Sequence, residues 1–232
     1  VMVHDLNGDG WLDIIALYSK DVSGFPSGFA VYLSTTPNNY SQIPVPLPAD
    51  MYSPRLMTMG DFNGDGRQDL VIGDKTAKKV IGYRNNATTG ASWTPIGPIN
   101  NVIATALLVE QLGGDGREEL VMALAENPPV TYTPVIRVLR YSNSTGLINE
   151  FVDEIPNQPG VTGLAGVYNN GDGILDLART SNYLQNVTIF NTPTGTPLWR
   201  YTSSVSFPTP NQPASMRYCD MNGDGRGDLT VI

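Results

Sequence analysis

The sequence predicts an all-β protein, and three observations carry that prediction. A nine-residue pattern returns five times: "DLNGDGWLD" from Asp5, "DFNGDGRQD" from Asp61, "QLGGDGREE" from Gln111, "YNNGDGILD" from Tyr168 and "DMNGDGRGD" from Asp220. The copies start about 54 residues apart, the length of one supersecondary unit in a repeat array. Between them lie short runs rich in Val, Ile and Tyr, broken by Gly, Asn and Pro, which favour strands over helices.

Each unit reads as four short strands. In the second, "RLMTMGD" precedes the loop, "DLVIGD" follows it, and "KVIGYRN" and "SWTPIGPI" complete the unit. The third offers "VIATALLVE", "ELVMALA", "VIRVLRYS" and "INEFVDEI" in the same order. Residues 102–112 have helical character in isolation, but their counterparts carry Pro or Gly, so the segment is read as a buried strand. Between the third and fourth strands an Asn/Thr-rich turn reaches Gly90, Gly146 or Gly195, which suits a hairpin with glycine at positive φ. Four-stranded units repeated radially make a β-propeller. The units run approximately 1–50, 51–100, 101–157, 158–210 and 211–232 within a single domain or fragment. That is about four and a half blades, and a ring of about seven is expected.

Charge is concentrated in the repeated loops. The chain has 22 acidic residues, 14 Lys and Arg, and a net charge of −8. Most of the acids fall in the five loops, while the rest of the chain is slightly basic. This pattern points to bound cations and, without a basic excess, away from nucleic acid. No run of 18 apolar residues spans a membrane. Val1 opens directly in an apolar segment, which reads as processing or truncation of what came before. The lone Cys219 excludes a disulfide framework within the chain and reads as a small packing residue.

The loops supply an all-oxygen donor set. Positions 1, 3, 5 and 9 offer Asp5, Asn7, Asp9 and Asp13 in the first copy, Asp61, Asn63, Asp65 and Asp69 in the second, and Asp220, Asn222, Asp224 and Asp228 in the fifth. Position 7 adds the backbone carbonyl of Trp11, Arg67 or Arg226. Clustered carboxylates with a carbonyl favour Ca²⁺, and glycine at position 6 permits the sharp turn. An EF-hand is excluded, because its position 12 needs Glu and here holds Ala16, Ile72 or Val231. The fourth copy has Tyr168 at position 1 but keeps Asn170, Asp172, Ile174 and Asp176. The third has Gln111 and Gly113 at positions 1 and 3 and keeps Asp115, so a plain hairpin without an ion fits it best.

These loops and their period resemble the FG-GAP/VCBS repeats of integrin-α-type β-propellers. The resemblance implies that each loop joins the first two strands of a blade and binds Ca²⁺. The chain departs from the integrin form where Gly73 is followed by Asp74 and Lys75, which weighs against an integrin-like partner. Propeller lectins, adhesion ectodomains, polysaccharide lyases and sugar dehydratases also resemble this repeat family.

No catalytic residue is assigned. His4, the single histidine, reads as structural, since no Ser or Cys nucleophile motif accompanies it. Trp11 is left free at position 7, either to stack on a sugar or to pack over a neighbouring hairpin, while Trp93 and Trp199 read as outer-strand core. The N-x-[ST] acceptors Asn39, Asn86 and Asn143 fall in turns at the outer rim, and Asn186 falls within a strand. The expectation is a secreted or cell-surface, calcium-stabilised propeller that binds glycans or extracellular proteins. The alternatives are a lyase or dehydratase domain, or a structural module.

Overall fold

The computed structural model describes residues 1–20, 24–36, 39–86, 89–112, 118–125, 134–142, 146–192 and 201–232. Every regular element in them is a β-strand. The first blade contains β1 (Met2–His4), β2 (Asp13–Tyr18), β3 (Gly28–Thr36) and β4 (Asn39–Pro46). The second contains β5 (Leu56–Gly60), β6 (Asp69–Asp74), β7 (Lys79–Asn85) and β8 (Trp93–Asn100). The third contains β9 (Ala104–Glu110), β10 (Glu119–Leu124), β11 (Val135–Ser142) and β12 (Leu147–Pro156). The fourth contains β13 (Val161–Val167), β14 (Asp176–Ser181), β15 (Asn186–Asn191) and β16 (Ser203–Pro208). A two-stranded sheet of β17 (Met216–Cys219) and β18 (Asp228–Val231) follows. Within each sheet the strands lie in chain order and are antiparallel, so every nine-residue loop joins the first and second strands of its sheet.

In the second and third blades the second strand reads as an apolar run because both of its faces are covered; β14 is as fully buried but carries Arg179, Thr180 and Ser181. Successive side chains of a strand point to opposite faces. In β6, Leu70 and Ile72 join the first blade's core around Phe29 and Val31, while Val71 joins the third blade's around Leu120 and Met122. In β10, Val121 and Ala123 face the fourth blade's Leu164 and Leu177. Blade thus stacks on blade through shared layers. Full burial of a large aliphatic side chain contributes roughly 1.5–3 kcal/mol, so these layers dominate the favourable side of folding. Residues 102–112 yield a strand, β9, where it packs between β5 and β13.

The hairpin turns have their predicted glycines at positive φ, +67° at Gly90 and +66° at Gly146, while Gly195 lies outside the described residues. Two expectations need correction. His4 and Cys219 are exposed rather than packed. Both sit on first strands, β1 and β17, that a described blade flanks on one side only.

Candidate functional site: the carboxylate-rich hairpin loops

Four of the five loops adopt one turn. Glycines at positions 4 and 6 have φ of +75° and +86° in the first loop, +76° and +81° in the second, +77° and +81° in the fourth, and +78° and +81° in the fifth. A side chain at those positions would be strained, so the Gly-x-Gly spacing dictates the turn. In the third loop, residues 113–117, including Asp115, lie outside the described residues.

The position-1 aspartate organises the loop from within. Asp5 Oδ1 accepts the amides of Gly8 at 2.8 Å and Asp9 at 3.2 Å, and Oδ2 accepts that of Gly10 at 2.9 Å. Asp61 does the same with Gly64, Asp65 and Gly66, and Asp220 with Gly223, Asp224 and Gly225. The Gly10 amide leads in holding the Asp5 carboxyl below its ordinary range, against some burial, and the Gly225 amide does so for Asp220. Tyr168 cannot provide this in the fourth loop.

Position 5 carries the next carboxylate. Its Oδ1 accepts the position-7 amide: Trp11 on Asp9 at 2.8 Å, Arg67 on Asp65 at 3.1 Å, Ile174 on Asp172 at 2.9 Å and Arg226 on Asp224 at 2.8 Å. The other oxygen meets the position-3 amide nitrogen of Asn7, Asn170 or Asn222 in three loops. In the second loop it meets the Arg67 guanidinium, and Asn63 turns instead to Asp69 at 2.8 Å.

Position 9 has a role that the sequence reading missed. It begins the second strand, and in the four full blades it is fully buried: Asp13, Asp69, Glu119 and Asp176. Asp13 takes the Leu6 amide on one oxygen and the Ser34 amide, at the far end of β3, on the other, each at 2.8 Å. Asp176 bridges Asn169 and Thr192 in the same way, and Asp69 accepts Asn85 at 2.9 Å. Asp228 accepts Met221 at 3.0 Å. The residue therefore ties the loop to its blade. A sequence cue existed in the acid's fixed place before the apolar strand.

The third blade solves the same problem with different chemistry. Glu119 Oε2 accepts the Leu112 amide at 2.8 Å, while its Oε1 pairs with the guanidinium of Arg140, 3 % exposed, from β11. Arg140 stands directly across the ladder from Glu119. Beside it, Glu118 reaches toward the second loop. Burial pushes its carboxyl up, the charges of Asp61 and Glu110 add to that rise, and the Asp61 amide opposes it.

The donor set fits a hard cation in type: carboxylate and amide oxygens within a nine-residue turn, where among the described residues Arg67 pairs with a carboxylate of its own loop. Among the described residues, no three Asp, Glu, His or Cys side chains converge on one point; the carboxylates accept the loop's own amides instead. The second loop shows the electrostatic cost of that state. Burial pushes Asp69 up to about 7, the Asn85 amide opposes the shift, and Asp65 and then Asp61 add to it.

A polar cleft of about 220 Å³ separates the first two loops, lined by His4, Asp5, Asn7, Arg67 and Gln68. Trp11 is 43 % exposed and is not among its walls. Trp93 is half-buried with its ring edge-on to Phe29 at 5.5 Å, and Trp199 lies outside the described residues. Asn39 opens β4 and Asn86 follows β7, whereas Asn143 lies outside the described residues. Asn186 is held in β15 by Arg179 at 2.8 Å. No helix among the described residues is long and apolar enough to cross a membrane.

The chain matches the FG-GAP-like repeat family over residues 5–72, 61–122 and 170–231. No curated protein matches it in sequence. Among solved structures it is similar to the periplasmic gluconolactonase of Pseudomonas aeruginosa, at 13% identity and a TM-score of 0.51, covering 93% of this chain and 56% of that one. It is also similar to an exotype rhamnogalacturonan lyase, at 14% identity and a TM-score of 0.52, covering 98% and 52%. The chain thus spans about half the length of each, and at these identities the likeness is one of fold.

Proposed function

The chain belongs to the FG-GAP-like repeat family, and from that premise we propose that it is a secreted or cell-surface, calcium-stabilised propeller whose loop face binds glycans or extracellular proteins. The observation that carries the reading is the turn shared by the first, second and fifth loops, each presenting aspartates at positions 1, 5 and 9. The residues that would hold Ca²⁺ are Asp5, Asn7, Asp9, Asp13 and the Trp11 carbonyl, with their equivalents in the second and fifth loops; Asn170, Asp172, Asp176 and the Ile174 carbonyl form a poorer set. Bound Ca²⁺ would neutralise like charges held in one tight turn.

The cleft between the first two loops supports the glycan reading. It is smaller than the roughly 300 Å³ at which drug-sized pockets begin, and its walls offer imidazole, amide and carboxylate groups to sugar hydroxyls. A glycan array run with calcium tests this, with Gln68→Ala as the cleft variant. Saccharide binding that Gln68→Ala weakens and Trp11→Ala spares places the site in the cleft. The reverse pattern assigns it to Trp11, and no binding to any saccharide removes the glycan reading. A second reading, a polysaccharide lyase or sugar dehydratase domain, draws on His4, exposed in the same cleft beside Asp5. Turnover of an acidic polysaccharide that His4→Ala abolishes would favour it.

A further inference from the structure

The outer edges of the four blades differ in one respect that bears on assembly. An edge strand presents unpaired amides and carbonyls, and proteins commonly blunt it with proline, charge or bulges. In β4 the Leu47 amide bonds the Ser27 carbonyl, so the alternation of an antiparallel ladder turns residues 44 and 46 outward, and both are proline. In β8, Pro95 and Pro98 remove donors and the register shifts between them. In β12 the register breaks twice, and Asp153 and Glu154 place charge on the strand. These three edges cannot take up another strand smoothly.

The fourth edge, β16, is unguarded. It reads Ser-Ser-Val-Ser-Phe-Pro, with all six residues exposed, an unbroken register against β15, no charge, and proline only at its end. No described strand covers its free side. The Thr209 amide bonds the Gln185 carbonyl at 2.9 Å, so the same alternation turns the amides and carbonyls of Ser204 and Ser206 outward.

We propose that β16 pairs edge to edge with β16 of a second copy of this chain, antiparallel about a two-fold axis through Val205. The arrangement is self-complementary. Ser204 of one copy exchanges amide and carbonyl bonds with Ser206 of the other, Val205 meets Val205, and Phe207 lies across from Ser203. No like charges oppose, as they would in a pairing of β12 with itself. Of the outward amides satisfied, that of Ser206 stands where Pro44 removes one on the first blade, while Pro208, like Pro46, offers none. A contact of this size falls well below the roughly 800 Å² per partner of a standard interface, so the dimer is reversible.

Sedimentation velocity of the full chain over a range of concentrations tests the pairing, with circular dichroism to confirm that each variant folds. Wild type should show a concentration-dependent monomer–dimer equilibrium. Val205→Lys sets lysines against each other at the axis, and Ser206→Pro removes an outward amide while keeping the backbone bonds to β15, at the loss of the hydroxyl contact between Ser206 and Thr188. Each should weaken association at least about tenfold. Three results overturn the proposal: a wild type that stays monomeric at the highest concentration reached, a dimer that survives both variants, or a dimer lost with Val205→Lys but kept with Ser206→Pro.

Discussion

The second and third blades place an acid at the same point of the same hairpin and balance it differently. Asp69 is buried with two other aspartates of its loop nearby, and its partners there are the Asn85 amide and the Asn63 side chain. Glu119 is equally buried, but a guanidinium from the neighbouring strand meets it. On the calcium reading, one blade takes its balancing charge from outside; the other carries its own. Stability of the third blade should therefore be insensitive to calcium, while the second depends on it.

The largest effect should come from the internal cation. Arg140→Met leaves Glu119 buried and uncompensated, and breaking a buried pair from one side costs about 3–5 kcal/mol. Urea unfolding should show that loss equally with calcium and with chelator; a loss that appears only in calcium would break the comparison. Chelation of wild type comes next. At roughly 1 mM free ion and a Kd near 0.1 mM, each complete loop contributes about 1.4 kcal/mol by linkage, and three independent loops about 4 kcal/mol.

Single loops sharpen the contrast. Asp65→Ala should remove about one such increment, and Asp115→Ala, in a loop already lacking two side-chain donors, should change calcium dependence little. Calorimetric calcium titrations of the two variants check this, and equal losses would refute the ranking of the loops. A separate effect, read in the absence of calcium, concerns pH. A carboxyl raised from 3.8 to about 7 contributes stability fully present below its unfolded value and lost as pH rises through the folded one. In chelator, melting temperature should thus fall between about pH 4 and 7, and Asp69→Asn should flatten the fall.

Much of the fold was legible because the second and third blades are buried on both faces. That turns β6 and β10 into apolar runs bounded by loops, and the Gly-x-Gly turn repeats in every described copy. The charge balance was not legible. Whether Arg140 faces Glu119 depends on cross-strand register between residues far apart in sequence, and whether Glu118 reaches Asp61 depends on how one blade sits against the next. The second role of position 9 was hidden because a list of cation donors does not reveal that both Asp13 oxygens also hold backbone amides. His4 and Cys219 were misread because repeat logic assumes a neighbour on each side.

The central claim is that complete loops need a cation and the third does not. It is tested most directly by the stability that calcium adds to wild type and to Asp65→Ala, measured as the difference between melts in calcium and in chelator. The account predicts a clear calcium increment in wild type, reduced by about a third in Asp65→Ala, with Arg140→Met lowering both melts while leaving the increment intact. An identical wild-type melting temperature with and without calcium would contradict it.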